Sequence, residues 1–186
     1  MQFDVVDLPD LEAEGGLFST ILHEMGHVLG IGPLWGAMAN DLIDYEPAGT
    51  ACNQVPPGTG APSQFTELPV FTGEEATTQH ELLGGTGGPL VEDQYGPGTQ
   101  CSHWDEETYA TELMTGFTSA DGSVEPLSAI TIGSLQDIGY TVDMGEAEPY
   151  EIPATEASIA PASLRRIYDI TGIFGKHGLG QLSQRR

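Results

Sequence analysis

Of the 28 acidic and five basic side chains in this 186-residue chain, 27 acids and not one Lys or Arg fall within residues 1–164. A body of that kind has only His as a side-chain cation. It cannot form internal salt bridges through Lys or Arg, and it repels itself at low ionic strength. Arg165, Arg166, Lys176, Arg185 and Arg186 gather at the C-terminal end and reverse the local sign. A net charge of −23 repels phosphate, which argues against nucleic acid and anionic membrane surfaces as partners and favours cations or basic ligands. Two habitats suit such a surface: high salt, or the surroundings of an acidic secreted protein in ordinary salt.

The length suits one globular domain with or without a tail. No run of 18 apolar residues occurs, and Met1-Gln-Phe-Asp-Val-Val-Asp has no basic stretch followed by an apolar one, so neither a transmembrane helix nor a signal peptide is expected here. Cys52 and Cys101 sit in loop-like surroundings. A disulfide between them is possible, would close a loop of about 50 residues, and requires an oxidising compartment.

Local patterns predict few regular elements. Phe3, Val5 and Val6 suggest a short strand. LFSTILHEMGHVLG reads as a helix ending at Gly30, with Ile21, Met25, Val28 and Leu29 toward the core and His23 and His27 on the other side. From Gly32 to about Gly98 the abundance of Gly and Pro predicts a long surface excursion, with a short helix within residues 71–83. A weak helical pattern follows Cys101, and PLSAITIGSLQDIG predicts a second firm helix ending at Gly139. Tyr140 begins a short extended piece. Beyond Pro153 the chain reads as a basic tail, in which Leu164, Ile167, Tyr168 and Ile170 suggest a weakly amphipathic helix that the acidic body could attract.

His23-Glu24-Met25-Gly26-His27 carries the chemistry. Residues i and i+4 share one helix face, so both imidazoles can reach one metal ion, and Glu24 beside them can take a proton from an activated water. Zinc hydrolases usually have three protein ligands, so a third is required. His80, His103 and His177 are the candidates. His80, in a short polar helix, is expected to be exposed, and His177 to be solvated in the tail. His103 is better placed, because Met114 follows it eleven residues later.

The extended motif His23-Glu24-x-x-His27-x-x-Gly30 resembles the metzincin pattern, in which Gly30 turns the chain sharply out of the helix. The short form fails, because Pro33 stands where its third His belongs. HEMGHVLGIGPLW, the long insertion, CSHW, ELMTG and LSAITIGSLQDIGYTVD together resemble the leishmanolysin family of zinc endopeptidases. The resemblance covers roughly residues 1–152. It implies zinc ligands at His23, His27 and His103, a general base at Glu24, a Met-turn at Met114, protein or peptide substrates, and an extracellular or cell-surface location.

The implied fold is α+β: an active-site helix and a C-terminal subdomain with long loops. Residues 1–30 would be a partial N-terminal subdomain, 31–152 the C-terminal subdomain, and 153–186 a basic tail. Such enzymes place a sheet ahead of the helix. Only about 16 residues precede it here, so that sheet is expected to be largely absent and the sequence reads as a fragment. Some metzincins also carry Tyr two residues after the Met-turn methionine, where this chain has Gly116. Two alternatives stay open: a zinc peptidase with a downstream Glu in place of His103, and a non-catalytic acidic module binding a metal or a basic partner. No EF-hand loop, Walker sequence or G-x-S-x-G elbow points elsewhere.

Overall fold

The computed structural model describes residues 8–36, 41–46, 67–96, 98–119 and 122–153, and the backbone of 164–166. The expected strand at Phe3–Val6, His177 and Cys52 lie outside the described residues. Two helices open the described chain, α1 (Leu8–Ala13) and α2 (Leu17–Leu29). Sequence patterns did not anticipate α1; Pro9 suits its first turn, where a missing N–H costs nothing, and Gly15 at φ 81° ends it. Helix α2 stops where expected, at Gly30 with φ 112°, whose N–H donates to the Gly26 and His27 carbonyls.

Next come β1 (Ile43–Asp44), β2 (Val70–Phe71), α3 (Glu74–Leu82), the single turn α4 (Glu106–Tyr109), β3 (Phe117–Ser119), α5 (Ala129–Asp137) and β4 (Leu164–Arg166). Strands β1 and β2 pair antiparallel, Ile43 opposite Phe71. Isolated bridges carry the pairing onward from Val70 to Leu90, from Val91 to Trp104, and from Trp104 to Thr115. The sheet thus steps from β2 to the segment holding Met114. The architecture is mixed helix and small sheet, an α+β arrangement.

The core is aromatic. Trp35 and Trp104 lie with ring centroids 4.3 Å apart, and Phe71 meets them edge-on at 5.1 and 5.5 Å. Val91, Tyr109, Leu113, Met114 and Ile130 complete it. Helix α3 packs on α5 at a close crossing: a β-carbon at Gly133 would lie 2.8 Å from the Ala76 nitrogen. Asp137 of α5 accepts the Glu75 and Ala76 N–H groups at 2.9 Å, satisfying donors that α3 itself leaves free at its N-terminus.

Several expectations need correction. The stretch from Gly32 to Gly98 is not merely a surface excursion, because Phe71, Ala76 and Val91 within it are fully buried. With so few long elements, the connection itself must supply apolar side chains. Helix α2 also turns the other way: Thr20, His23, Glu24 and Gly26 are buried, while Phe18, Met25 and Val28 are 76, 48 and 71% exposed and Leu29 is exposed too. The described chain packs on the histidine side, where each polar group finds a partner, and leaves the apolar stripe outside. Finally, residues 164–166 form β4, not helix, and pair antiparallel with β3, Phe117 opposite Arg166. The weak helix after Cys101 shrinks to α4, and residues 140–143 hold no strand.

Candidate metal centre

Helix α2 delivers His23 and His27 one turn apart to one place, and His103 arrives there from the loop between Val91 and α4. Their Nε2 atoms stand 2.9 Å (His23–His27), 3.0 Å (His27–His103) and 3.1 Å (His23–His103) from one another. Each ring is oriented through its other nitrogen by a backbone carbonyl. His23 Nδ1 donates to Leu113 O at 2.7 Å, His27 Nδ1 to Ile31 O at 2.9 Å, and His103 Nδ1 to Thr99 O at 2.9 Å. Those carbonyls fix the tautomer, so all three Nε2 atoms carry lone pairs turned toward a common centre.

Three lone pairs at such range repel unless a cation lies among them. Two ligands 2.0–2.1 Å from a tetrahedral ion stand about 3.3 Å apart, close to the separations here, so the donor set fits a metal ion of zinc's size and preference. Burial, with His27 nearby, lowers the His23 pKa to about 3 despite the Leu113 hydrogen bond, which keeps the ring neutral and able to donate. Among the described residues, these three are the group of metal-binding side chains whose ligand atoms all lie within 4.8 Å of one another.

The left-handed turn at Gly30 has a direct use. It brings Ile31 back so that its N–H reaches Gly26 O and its carbonyl receives His27. Met114 is fully buried under the same helix turn: a β-carbon on Gly26 would stand 2.7 Å from its sulfur. Glu24 follows His23 on the buried side, 6% exposed. Gly116 leaves no room for the tyrosine some metzincins carry, because a β-carbon there would meet Thr99 Cγ2 at 2.4 Å.

The loop bearing His103 is tied to Glu92, whose N–H donates to His103 O at 3.0 Å and whose carbonyl accepts Cys101 N–H at 2.7 Å. Cys101, at φ 61°, is disulfide-bonded. Glu92, Asp93, Asp105 and Glu106 are buried around this loop. Burial, with neighbouring acids adding to it, raises Glu92 to about 7 and Glu106 to about 8.

His80 corrects an expectation, being 5% exposed rather than solvated. Its Nδ1 donates to Gly87 O at 2.7 Å, and its Nε2 stands 3.1 Å from the Tyr109 hydroxyl, which also accepts Leu90 N–H. That ring is fully used in packing α3 against the core. Sequence reasoning missed the orienting carbonyls of Ile31, Thr99 and Leu113, which carry no residue-type signature. It also missed Glu112, whose place beside Leu113-Met114 within ELMTG was the available signal.

Fold and centre together define a class: an α+β protein with a largely buried three-histidine site able to hold a metal ion. Residues 84–158 match the family model described as leishmanolysin, peptidase family M8. The matched stretch takes in His103 and Met114 and does not reach α2, so the two halves of the site come from inside and outside it. The match covers less than half of the chain and supports a peptidase. No curated protein and no solved structure matches the chain. No helix among the described residues is long and apolar enough to cross a membrane.

Proposed function

We propose that this chain is a zinc-dependent endopeptidase of leishmanolysin type, with residues 1–152 as its catalytic region and 153–186 as a basic extension. His23, His27 and His103 would hold the metal, Met114 packs under the helix turn that carries His23 and His27, and Glu24 is the general base. The observation that carries this reading is the convergence of three Nε2 lone pairs, those of His23 and His103 buried and that of His27 partly so, each ring anchored through Nδ1 by a carbonyl. A Glu ligand in place of His103 is not needed, since His103 stands within 3.1 Å of both partners.

Bound zinc supplies Lewis acidity, polarising a peptide carbonyl and acidifying water. Glu24 takes the proton of the attacking water and passes it to the leaving amine. The carbonyls of Leu113, Ile31 and Thr99 hold the imidazoles in one tautomer throughout. Extracellular or cell-surface substrates agree with the disulfide at Cys101.

The test is Glu24→Gln beside His103→Ala in the full chain, with zinc content and cleavage of an unfolded protein substrate as readouts. Glu24→Gln is expected to keep one zinc per chain and lose cleavage by 10²-fold or more. His103→Ala is expected to lose both. Full cleavage by Glu24→Gln overturns the mechanism, and unchanged zinc content in His103→Ala overturns the ligand set. A wild-type chain that binds zinc but cleaves nothing favours the non-catalytic metal-binding module.

A further inference from the structure

Glu112 is fully buried, and no Lys or Arg occurs between residues 8 and 153 to pair with it. Its carboxylate is divided between two segments. Oε2 accepts Met114 N–H at 2.6 Å. Oε1 accepts the Ser128 N–H at 3.2 Å, the Ser128 hydroxyl at 2.7 Å and the Thr131 hydroxyl at 2.6 Å, all in the first turn of α5. Thr131 Oγ1 in turn accepts the indole N–H of Trp104 at 2.8 Å. Trp104 follows His103 directly, and its backbone N–H donates to Met114 O at 3.0 Å.

Both ends of this network terminate on the three-histidine centre. Leu113, between Glu112 and Met114, gives its carbonyl to His23, and Trp104 is joined by a peptide bond to His103. Burial raises the Glu112 pKa while the four donated hydrogen bonds oppose that rise. An acid so fully enclosed is stable only if every lone pair it turns inward meets a donor. Two of the donors are backbone N–H groups that cannot reverse their role.

We propose that Glu112 is the positioning residue of the metal centre: it sets the Leu113 carbonyl that orients His23 and, through Thr131 and Trp104, the backbone that presents His103. This rests on the reading of the three histidines as metal ligands. The site demands a side chain that only accepts. Glutamine has the same shape, but its amide NH2 must face either Met114 N–H or Ser128 N–H, and one buried donor then loses its acceptor.

The experiment uses the full chain stripped with a chelator, as wild type and Glu112→Gln. Zn²⁺ affinity is measured against a competing chromophoric chelator, the Co²⁺ complex by its visible absorption, and metal-free stability by urea unfolding. Wild-type binding of one zinc, lost in His103→Ala, must hold first; its absence overturns the metal-centre reading itself. Given that, Glu112→Gln is expected to weaken zinc binding 10- to 100-fold, a typical range for groups that orient ligands, and to change the Co²⁺ band.

Wild-type affinity and an unchanged Co²⁺ band in folded Glu112→Gln overturn the proposal, whatever happens to the urea midpoint, because Glu112 then only joins the turn to α5. If Glu112→Gln does not fold, Thr131→Val decides. It cuts the link to Trp104 while leaving Met114 and Ser128 bonded to Glu112, and it is expected to weaken zinc binding severalfold. Unchanged affinity there overturns the proposal.

Discussion

Gly32→Ala puts the packing between α2 and the His103 loop to a direct test. Gly32 has φ 81°, and a β-carbon there would lie 2.3 Å from the Ser102 carbonyl oxygen and 2.9 Å from its carbonyl carbon and Cα. Two independent costs follow. A left-handed backbone costs an L-residue about 1–2 kcal/mol. The clash falls on backbone, which cannot swing aside like a side-chain tip, and such overpacking costs about 1–3 kcal/mol. Together these lower the melting temperature by roughly 4–20 °C in a chain of this size.

Gly84→Ala separates the two terms, since Gly84 has φ 94° and no atom within 4 Å of its β-carbon position. It is expected to show the backbone cost alone, roughly 2–8 °C. Thermal melts of the metal-free proteins measure both, and zinc titrations add a second readout. Ser102 immediately precedes His103, so Gly32→Ala is expected to weaken zinc binding and Gly84→Ala to leave it intact. Equal melts for the two variants, together with wild-type zinc affinity in Gly32→Ala, would refute the reasoning.

Two further outcomes follow from charge. In chelator-treated protein, Glu92, Glu106 and Glu125, raised by burial to about 7, 8 and 7, add stability that is fully present below pH about 4.5 and lost as pH rises through those values. His23, lowered to about 3, works oppositely, its contribution being lost as pH falls from about 6.5 toward 3. Three groups outweigh one down to pH about 4.5, so the urea midpoint is expected to rise from pH 8 to about 5 and fall below about 4.5; a steady fall from pH 8 contradicts these shifts. Raising NaCl from about 0.1 to 1 M, which shortens the screening length from about 10 to 3 Å, is expected to raise the melting temperature of a body with no Lys or Arg before residue 165. An unchanged melt removes self-repulsion, and the high-salt habitat, from the account.

Much of the centre was legible one residue at a time. His23 and His27 share a helix face because of helix geometry alone, and Gly30 announces the turn because only glycine takes φ 112° cheaply. His103 emerged as the best third histidine from its neighbours CSHW and ELMTG. Helix α5 was legible from its run and its glycine stop, α3 only as a short polar helical stretch and α4 only as a weak helical pattern, whereas β4 was not legible, since short elements take their form from what they pack against.

Local pattern therefore singled out His23 and His27 as candidate metal-binding residues and marked where α2 ends, because both depend on spacing within a few turns of chain. Tertiary structure alone decided which side of α2 is buried, since the solvated side is whichever one the rest of the chain leaves uncovered. It alone turned His80 and Glu112 inward. A buried imidazole or carboxylate is tolerated only where distant donors and acceptors meet it, and no run of neighbouring residues records where those partners will lie.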